Sequence, residues 1–362
     1  MIEKLYTKSQ KTKIAIFSND AGGSNLLLEL LKFHAQNFDF QVFCLGDSPC
    51  HKLCLEKNLQ SFLHPISSSR SEIFRKLELF APDVLLYSTG WQNKIEHLFL
   101  EYAKLTNIPS ISFLDHWTNY KERFGFPHKE WRKNLPDFIA THDEVSYHLA
   151  QKLGLDNVIS VENYAFKTQL QEAKELSLFL KPRQKTLLFL TEPIATFAKK
   201  TYQDAYHFGF TEKEVYEEIL HFQKELGYEN LIIRLHPSDT PDMYTSMNKE
   251  ATFSSSSLVQ DILKADLVIG SDTVALYTAY HLQKKVISYI PSKQKKCSVP
   301  IPLQNQFNSL RGVDLNTLQT LKTPTKPFGI NFAFYMEKIL ESKTLCKKNN
   351  YALCLEQEVL VG

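Results

Sequence analysis

Two short stretches decide the fold of this chain: LIIRLHPSD at residues 231–239 and LVIGSDTVAL at residues 267–276. Each is an apolar run that stops abruptly at small polar groups able to donate hydrogen bonds. A buried parallel strand ends in this way, and in open α/β sheets ligands bind just beyond such carboxyl ends. Two strand ends of this kind in the same half of the chain predict a nucleotide-phosphate site there.

The composition is that of a globular chain long enough for two domains. Of its 362 residues, 43% are hydrophobic and 23% are charged. The net charge of +2 gives no general attraction to nucleic acid, so no nucleic-acid partner is expected. No apolar stretch reaches the roughly 18 residues of a membrane-spanning helix, and the polar residues 1–13 predict no cleavable signal. We therefore expect a cytoplasmic protein, and leave open a peripheral contact with the inner membrane.

The six cysteines predict neither a disulfide framework nor a metal site. Cys50 and Cys54 lie four positions apart, but no second close pair accompanies them, as a zinc site usually requires. The pattern is typical of reduced thiols in a cytoplasmic protein. No metal and no cofactor are expected.

Strands and helices alternate over residues 13–290, with one interruption. The alternation stops at a polar helix ending in residues 181–185, and it restarts with the strand 186–190. The pattern predicts an α/β fold with two Rossmann-like, doubly wound domains. The expected boundaries are an N-terminal domain at residues 1–180, a C-terminal domain at residues 181–330, and a helix and tail at residues 331–362 that pack back on the first domain.

The turn after the first strand is a candidate site in the N-terminal domain. Residues 18–25 contain Asp20, Gly22 and Gly23, and a helix is predicted to begin at Leu26. Glycines let the backbone come close to a ligand, and the start of the helix offers free N–H groups. The turn is not GxGxxG, so it does not indicate a dinucleotide, and a tight turn without any ligand is the alternative.

A run of charges and aromatic rings follows the strand 110–114. The run covers residues 115–124 and begins with Asp115 and His116. Its place at the carboxyl end of a strand indicates a ligand-facing loop. The alternative is a charged surface loop whose aromatic side chains pack inward.

The paired motifs resemble a family of nucleotide-sugar enzymes. Two α/β domains, the second with His-Pro at 236–237 and Ser-Asp-Thr at 271–273, resemble the glycosyltransferase B (GT-B) fold. More narrowly, the motifs are similar to those of bacterial polysaccharide transferases, namely sialyltransferases, capsule Kdo transferases and CDP-glycerol transferases. The UDP-N-acetylglucosamine 2-epimerases share the layout. The resemblance covers residues 13–290 and implies two domains facing a cleft, and catalysis without a metal.

The resemblance also implies roles for individual residues of the second domain. His236 corresponds to the histidine that contacts the donor phosphate, and Ser271 and Thr273 to hydroxyl residues that bind the same phosphate. In this chain the expected donor site also includes Pro237, Asp272 and Glu192, together with Gly22 and Gly23. The alternatives are a solvated loop histidine for His236 and helix capping for the two hydroxyls.

Departures from the family patterns leave the catalytic base open. The acidic D/E-D/E-G motif of the sialyltransferases is not found, and the Ser-Gly-Gly of the epimerases is replaced by residues 271–273. An inverting transfer needs a group that takes the proton of the acceptor hydroxyl. As this base, Asp20 is favoured slightly over Asp115, and His116 beside Asp115 is a further candidate. A retaining transfer requires neither carboxylate as a base.

The favoured function is a glycosyltransferase that takes its sugar from a nucleotide-activated donor, with a CMP-linked nonulosonic acid or Kdo preferred. The expected acceptor is a cell-surface glycan or a lipid-linked glycan. The alternatives are a UDP-N-acetylglucosamine 2-epimerase or hydrolase, and a non-catalytic nucleotide-sugar binder.

Overall fold

The computed structural model describes residues 11–90, 95–180, 185–323 and 328–346. The chain divides into two compact units: unit 1 comprises Met1–Ala165 and Pro327–Gly362, and unit 2 comprises Phe166–Lys326. The division falls within a helix, Tyr164–Ser177. The expected boundary at residues 180–181 borders on residues 181–184, which lie outside the described residues, and it stays a prediction.

Unit 1 is built around a seven-stranded parallel sheet. Its spatial order is β3-β2-β1-β4-β5-β6-β7, the order of a doubly wound fold. The strands are β1 Lys13–Phe17, β2 Asp39–Leu45, β3 Leu63–Ile66, β4 Val84–Ser88, β5 Ser110–Phe113, β6 Phe138–Thr141 and β7 Val158–Ser160. The helices between them are α1 Ala21–His34, α2 Pro49–Glu56, α3 Arg70–Phe80, α4 Glu96–Thr106 and α5 Glu144–Lys152, and α6 Tyr164–Ser177 follows β7.

Unit 2 repeats this architecture with six parallel strands in the order β10-β9-β8-β11-β12-β13. The strands are β8 Thr186–Leu190, β9 Asn230–Arg234, β10 Thr252–Phe253, β11 Leu267–Gly270, β12 Lys285–Tyr289 and β13 Gln306–Phe307. The helices are α7 Ile194–Tyr202, α8 Glu212–Glu225, α9 Asp242–Met247, α10 Leu258–Lys264 and α11 Val274–His281. The predicted α/β class with two doubly wound sheets is confirmed.

The central strands are apolar because helices cover both faces of each sheet. All five residues of β4 and all five of β8 are buried. Strands covered on both sides read as continuous apolar runs, which is why the sequence revealed them. Truncation of a leucine in such a core costs about 2–5 kcal/mol.

The short strands at the edges of the two sheets were not predictable from the sequence. The strands β3, β10 and β13 were not predicted, and β13 lies beyond residue 290, where the predicted alternation ended. The strand β3 contains Pro65, which is tolerated because an edge strand does not need every ladder hydrogen bond. The strands β10 and β13 have two residues each, too few to show a period.

The last described helix, α12 Phe332–Cys346, packs into unit 1. Phe332, Met336 and Ile339 are buried in the same apolar cluster as Leu27 and Leu31 of α1. The Tyr164 hydroxyl fixes its start by accepting a 3.0 Å hydrogen bond from the Phe332 N–H. Burial of this apolar face holds the helix on the unit that contains the first strand.

Candidate functional site

In each sheet, the chain reverses direction beside the first strand. These switch points lie between β1 and β4 in unit 1, and between β8 and β11 in unit 2. Loops that leave two neighbouring strands in opposite directions open a crevice at the carboxyl edge, where ligands of doubly wound folds bind. Asp20 and Asp115 follow strands of the first sheet, and Glu192, His236 and residues 271–273 follow strands of the second.

Gly22 and Gly23 lie in a helix, not in the loop that the sequence predicted. The helix α1 begins at Ala21, directly after Asp20. A Cβ at Gly22 would overlap the Asp115 carboxylate, and one at Gly23 would overlap the Ser88 side chain. Glycine is needed because the first turn of α1 passes against the ends of β4 and β5. The expected contact of these glycines with a donor phosphate stays a prediction.

Buried serines support this first turn. The Ser18 hydroxyl lies 2.7 Å from that of Ser24 and 2.5 Å from that of Ser88. All three side chains are buried. These hydrogen bonds fix the start of α1 to the ends of β1 and β4, so the position of Asp20 is set by the core.

Asp20 is the accessible carboxylate of this edge. It is exposed at the N-cap of α1, and its side chain does not cap the helix. A Cβ at Gly90 would overlap the Asp20 carboxylate, so that carboxylate lies against the backbone that leaves β4. Its exposure and its place at the end of β1 keep Asp20 a candidate for the catalytic base.

Asp115 is engaged in a buried ion pair. Its Oδ1 lies 2.7 Å from Nη1 of Arg123, which also donates a 2.5 Å hydrogen bond to the Thr89 carbonyl. Burial pushes the pKa of Asp115 upward, but the Arg123 guanidinium, with a smaller effect of His116, outweighs it and leaves the pKa below its usual value. A carboxylate that is neutralised in this way is a weak proton acceptor.

The aromatic residues after Asp115 pack inward, as the alternative interpretation of this loop proposed. Trp117, Tyr120 and Phe124 are buried, and the Trp117 indole donates a 2.8 Å hydrogen bond to Asp143. His116 is half-buried, and its Nδ1 accepts from the Trp117 N–H at 3.0 Å, which places its ring proton on Nε2. The loop is thus both a core element and the support of Asp115.

In unit 2, hydrogen bonds join the ends of β8 and β9. The Thr191 hydroxyl accepts from the His236 backbone N–H at 2.9 Å and donates to Asp239 at 2.5 Å. Asp239 also accepts from the Tyr244 hydroxyl at 2.9 Å. These bonds fix the His-Pro turn relative to the first strand of the sheet.

The same turn fixes the tautomer of His236. Nδ1 of its half-buried ring accepts from the Ser238 N–H at 3.1 Å, so the neutral ring carries its proton on Nε2. Burial lowers the pKa of His236, against a smaller opposing effect of Asp239. At neutral pH the imidazole is therefore an uncharged donor, suited to a phosphate oxygen. Pro237, which follows it, is exposed.

The Ser-Asp-Thr residues have three different environments. Ser271 is buried at 2% exposure, and its carbonyl accepts a 2.5 Å hydrogen bond from Ser288. The Thr273 hydroxyl caps α11 by accepting from the Ala275 N–H at 3.4 Å. The capping alternative is confirmed for Thr273, whereas the contact of Ser271 is made by its backbone carbonyl and does not test it. The proposed contact of these hydroxyls with a phosphate stays a prediction.

Asp272 ties the strand end to the segment that follows β12. Its carboxylate pairs with Lys295 at 2.6 Å and accepts from Ser298, at 2.6 Å from the backbone N–H and 2.8 Å from the hydroxyl. The Asp272 backbone N–H in turn donates to Glu192 at 2.9 Å. The ends of β8 and β11 are joined in this way across the switch point.

Glu192 is a carboxyl of unusual basicity. Burial raises its pKa to about 7, with a further contribution from the neighbouring Asp272 carboxylate and opposing effects of the Asp272 N–H and Lys295. At neutral pH a large fraction of Glu192 is therefore protonated and can donate a hydrogen bond to an anion.

The two helices that start at this edge differ in what their first turns face. The Ala195 N–H, in the first turn of α7, donates to the Glu212 carboxylate at 2.7 Å. The helix α11 begins beside Asp272 and Thr273, at the end of the strand next to β8. Since a protein carboxylate already occupies the first turn of α7, α11 is the better candidate for binding a phosphate.

Sequence analysis missed several residues that the structure brings to these edges. In unit 1 they are Glu96 and Arg123, and in unit 2 they are Thr191, Asp239 and Lys295. Thr191 and Asp239 were recognisable, because each follows the apolar run of a strand by only a few positions. Arg123 lies in the charged run 115–124 but was not singled out within it, and Glu96 and Lys295 carried no local signal, since they come from neighbouring segments that only tertiary contacts place.

Within the described ranges, no three His, Cys, Asp or Glu side chains are grouped so that they could hold a metal ion. Cys44, Cys50 and Cys54 are buried thiols, while Cys354 lies outside the described residues. No helix among the described residues is both long and apolar enough to cross a bilayer.

No protein-family model and no curated protein matches the sequence. Among solved structures, UDP-GlcNAc 2-epimerase from Neisseria meningitidis bound to UDP-GlcNAc is 14% identical, with a TM-score of 0.52 over 76% of this chain and 82% of that chain. MnaA of S. aureus with UDP is also 14% identical, with a TM-score of 0.52 over 94% of this chain and 89% of that chain. MurG of Acinetobacter baumannii is 11% identical, with a TM-score of 0.46 over 81% and 80%. The chain therefore has the GT-B-type fold of two doubly wound sheets that the first two of these proteins share.

Proposed function

We propose that the chain is a metal-independent glycosyltransferase that takes its sugar from a nucleotide-activated donor. The observation that carries the proposal is the carboxyl edge of unit 2, where His236 presents an Nε2 donor after β9 and α11 begins after β11, the two strands on either side of β8. Donors that are fixed in advance stabilise the negative charge that develops on a leaving phosphate. Unit 2 accordingly binds the nucleotide phosphate.

In this proposal, unit 1 supplies the catalytic base. The acceptor hydroxyl attacks the anomeric carbon, the bond from that carbon to the phosphate oxygen breaks, and its electron pair leaves with the nucleotide. The proton of the hydroxyl passes to a carboxylate, and Asp20 is preferred because it is exposed, whereas Asp115 is held by Arg123. His116 stays a further candidate.

For the donor we favour a CMP-linked sugar acid, such as a nonulosonic acid or Kdo. His236, the first turn of α11 and a protonated Glu192 together offer donors for one phosphate group. Asp272 and Lys295 already neutralise each other and add no net positive charge. A single phosphate is suited to such a site better than a doubly charged diphosphate.

A nucleotide panel tests the donor, with the thermal midpoint Tm as the readout. The chain is heated with CMP, CDP, UDP, GDP or dTDP at equal concentration, and CMP is expected to raise Tm most. Stabilisation by UDP alone would overturn the CMP assignment but keep a nucleotide site. Stabilisation by none of them would overturn the proposed function.

Substitution of His236 tests the site itself. His236→Ala is expected to lower donor turnover by about 10²–10³-fold, the typical cost of losing one fixed donor at a developing charge. Its Tm is expected to stay within a few degrees, because the ring is half-buried and its backbone contacts remain. The matched control is His221→Ala, on the exposed face of α8, which is expected to leave turnover unchanged.

A UDP-sugar 2-epimerase or hydrolase is the second candidate, favoured by the likeness to the Neisseria enzyme bound to UDP-GlcNAc. Incubation with UDP-GlcNAc and no acceptor separates the two: release of free sugar supports this candidate. A non-catalytic binder would show a Tm shift with a nucleotide but no turnover of any donor.

A cell-surface or lipid-linked glycan is the acceptor class we propose, and a cytoplasmic position at the membrane surface accords with it. Co-sedimentation with anionic vesicles checks the position at the membrane surface, and recovery of all the protein in the supernatant would contradict that position.

A further inference from the structure

Asp239 is the carboxylate nearest to His236 in sequence, and the proposed reaction leaves it without a role. It is half-buried in the turn that follows β9, three positions after His236. It does not serve Nδ1 of the imidazole as a carboxylate partner, because that atom already accepts a hydrogen bond from the Ser238 N–H at 3.1 Å. Any effect of Asp239 on the position of His236 therefore passes through other groups.

Two hydroxyl groups donate to one oxygen of Asp239. Its Oδ2 accepts from the Thr191 hydroxyl at 2.5 Å and from the Tyr244 hydroxyl at 2.9 Å. Thr191 follows β8 and Tyr244 lies on α9, and both residues are at most 3% exposed. Buried hydroxyls need hydrogen-bond partners, so Asp239 is the acceptor that joins these two elements to the turn.

The Thr191 hydroxyl transmits this constraint to His236. A hydroxyl has one proton, and that of Thr191 is directed at Asp239, so its oxygen is left to accept the His236 backbone N–H at 2.9 Å. The His236 carbonyl accepts in turn from the Asp239 N–H at 2.8 Å. Both backbone groups of His236 are therefore bound, one through the carboxylate of Asp239 and the other by its backbone.

We propose that Asp239 is a positioning residue for His236: through Thr191 it fixes the turn that presents the Nε2 donor of the imidazole. The role of His236 itself rests on the proposed function. A displacement of about 1 Å can lower a rate by about 10²-fold, so a donor to a leaving phosphate has to be held this closely. Asp239 exchanges no proton and contacts no substrate in this proposal.

Because both hydroxyls donate to the same oxygen, the proposal distinguishes two substitutions of one residue. The amide oxygen of Asp239→Asn can take the place of Oδ2 and accept both bonds, whereas Asp239→Ala removes the acceptor. The asparagine variant is therefore expected to behave as wild type and is the matched control. If instead the charge of Asp239 acted on His236, both variants would have the same defect.

The first test is independent of any activity. Amide hydrogen exchange of His236 is measured by NMR for wild type and both variants, with the Leu188 N–H in the centre of β8 as the reference for global unfolding. Relative to that reference, Asp239→Ala is expected to speed exchange at the His236 N–H by about tenfold, the usual effect of losing one hydrogen bond. Exchange in Asp239→Asn is expected to match wild type. Equal exchange in wild type and Asp239→Ala, or equal acceleration in both variants, would overturn the proposal.

If Asp239→Ala does not fold, Thr191→Val tests the contact that the proposal requires. Valine keeps the shape of the threonine but cannot accept the His236 N–H, while Thr191→Ser keeps the hydroxyl and serves as its control. Faster exchange at His236 is expected in the valine variant alone. The same exchange rate in the two variants would overturn the proposal.

The second test is a double-mutant cycle on turnover. Asp239→Ala alone is expected to lower kcat by about 10–10²-fold. In the His236→Ala background the same substitution is expected to lower kcat by less than about threefold, since the group that Asp239 positions is gone. An equal fold loss in both backgrounds would overturn the proposal, because Asp239 would then act independently of His236. Absence of wild-type turnover with every donor would contradict the proposed function instead, and the exchange measurements would still decide whether Asp239 holds the turn.

Discussion

The two sheets share one topology, but their switch points have different chemistry. In unit 1 the residues around β4 form a group of ionisable side chains, Asp20, Glu96, Asp115 and Arg123, three of them buried or half-buried. In unit 2 the corresponding place holds hydroxyls, a neutral histidine and backbone N–H groups, with a partly exposed Asp272–Lys295 pair. The first arrangement is suited to accepting a proton, and the second to binding an anion.

The same topology therefore carries different side-chain chemistry at the ends of its strands in the two units. The carboxyl edge of a doubly wound sheet fixes where side chains meet, but not what they are. Substitutions that exchange or remove these side chains therefore test the division of roles between the two units.

The largest effect is expected from Asp20→Asn, which removes the proposed base. Turnover is expected to fall by about 10²–10⁴-fold, the usual contribution of general base catalysis. Tm is expected to change little, since the side chain is exposed and does not cap α1. The measurement is donor turnover with Tm recorded in parallel.

An unchanged turnover in Asp20→Asn would transfer the role of base to Asp115 or His116, or indicate a retaining transfer. Asp83→Asn provides the matched control, because Asp83 lies at the opposite, amino end of β4. It is expected to leave the kcat of donor turnover at the wild-type value.

Asp115→Asn is expected to reduce stability more than any other single change at this edge. It leaves the 8% exposed Arg123 guanidinium without its carboxylate, and a broken buried pair costs about 3 kcal/mol of the free energy of unfolding. Asp272→Asn provides the contrast in unit 2. Lys295 is 24% exposed and can be hydrated, so a loss of about 1 kcal/mol or less is expected.

Chemical denaturation of both variants measures the difference. Equal losses of unfolding free energy would contradict the distinction between a buried charged edge and a partly exposed one.

The effect of Glu192→Gln is expected to be smaller than that of Asp115→Asn and to depend on pH. The folded pKa of Glu192, about 7, lies above its ordinary value of 4.5, so its ionisation costs wild-type stability as pH rises through this window. The glutamine variant avoids that cost and is expected to be more stable by about 2 kcal/mol at pH 8 and by little at pH 5.

Unfolding free energies measured at pH 5 and pH 8 test this expectation. An equal gain at both pH values would mean that Glu192 ionises normally in the folded protein.

The long, buried elements were predictable from the sequence because their apolar residues repeat with a clear period. The strands β5, β8, β9 and β11 appear where the sequence placed them. The start of α1 was misplaced by five residues, since Gly22 and Gly23 are typical of a loop unless a close neighbour requires them. That neighbour, Asp115, is distant in sequence.

The candidate site was predictable only in part, because some of its residues depend on neighbours that are distant in sequence. His236, Glu192 and residues 271–273 directly follow apolar runs, so the rule that ligands bind at strand ends was enough to select them. Arg123, Glu96 and Lys295 are ordinary charged residues in sequence. Their importance arises from burial and from partners on other elements.

The sequence alone determined the class of fold and the edges at which chemistry can occur, because apolar periodicity and the residues at strand ends are local properties. Tertiary structure decided which charge each residue carries there. Arg123 neutralises Asp115, burial keeps Glu96 protonated, and Ser238 fixes the proton of His236 on Nε2. Ionisation and tautomer depend on groups within a few ångströms, and only the folded chain brings those groups together.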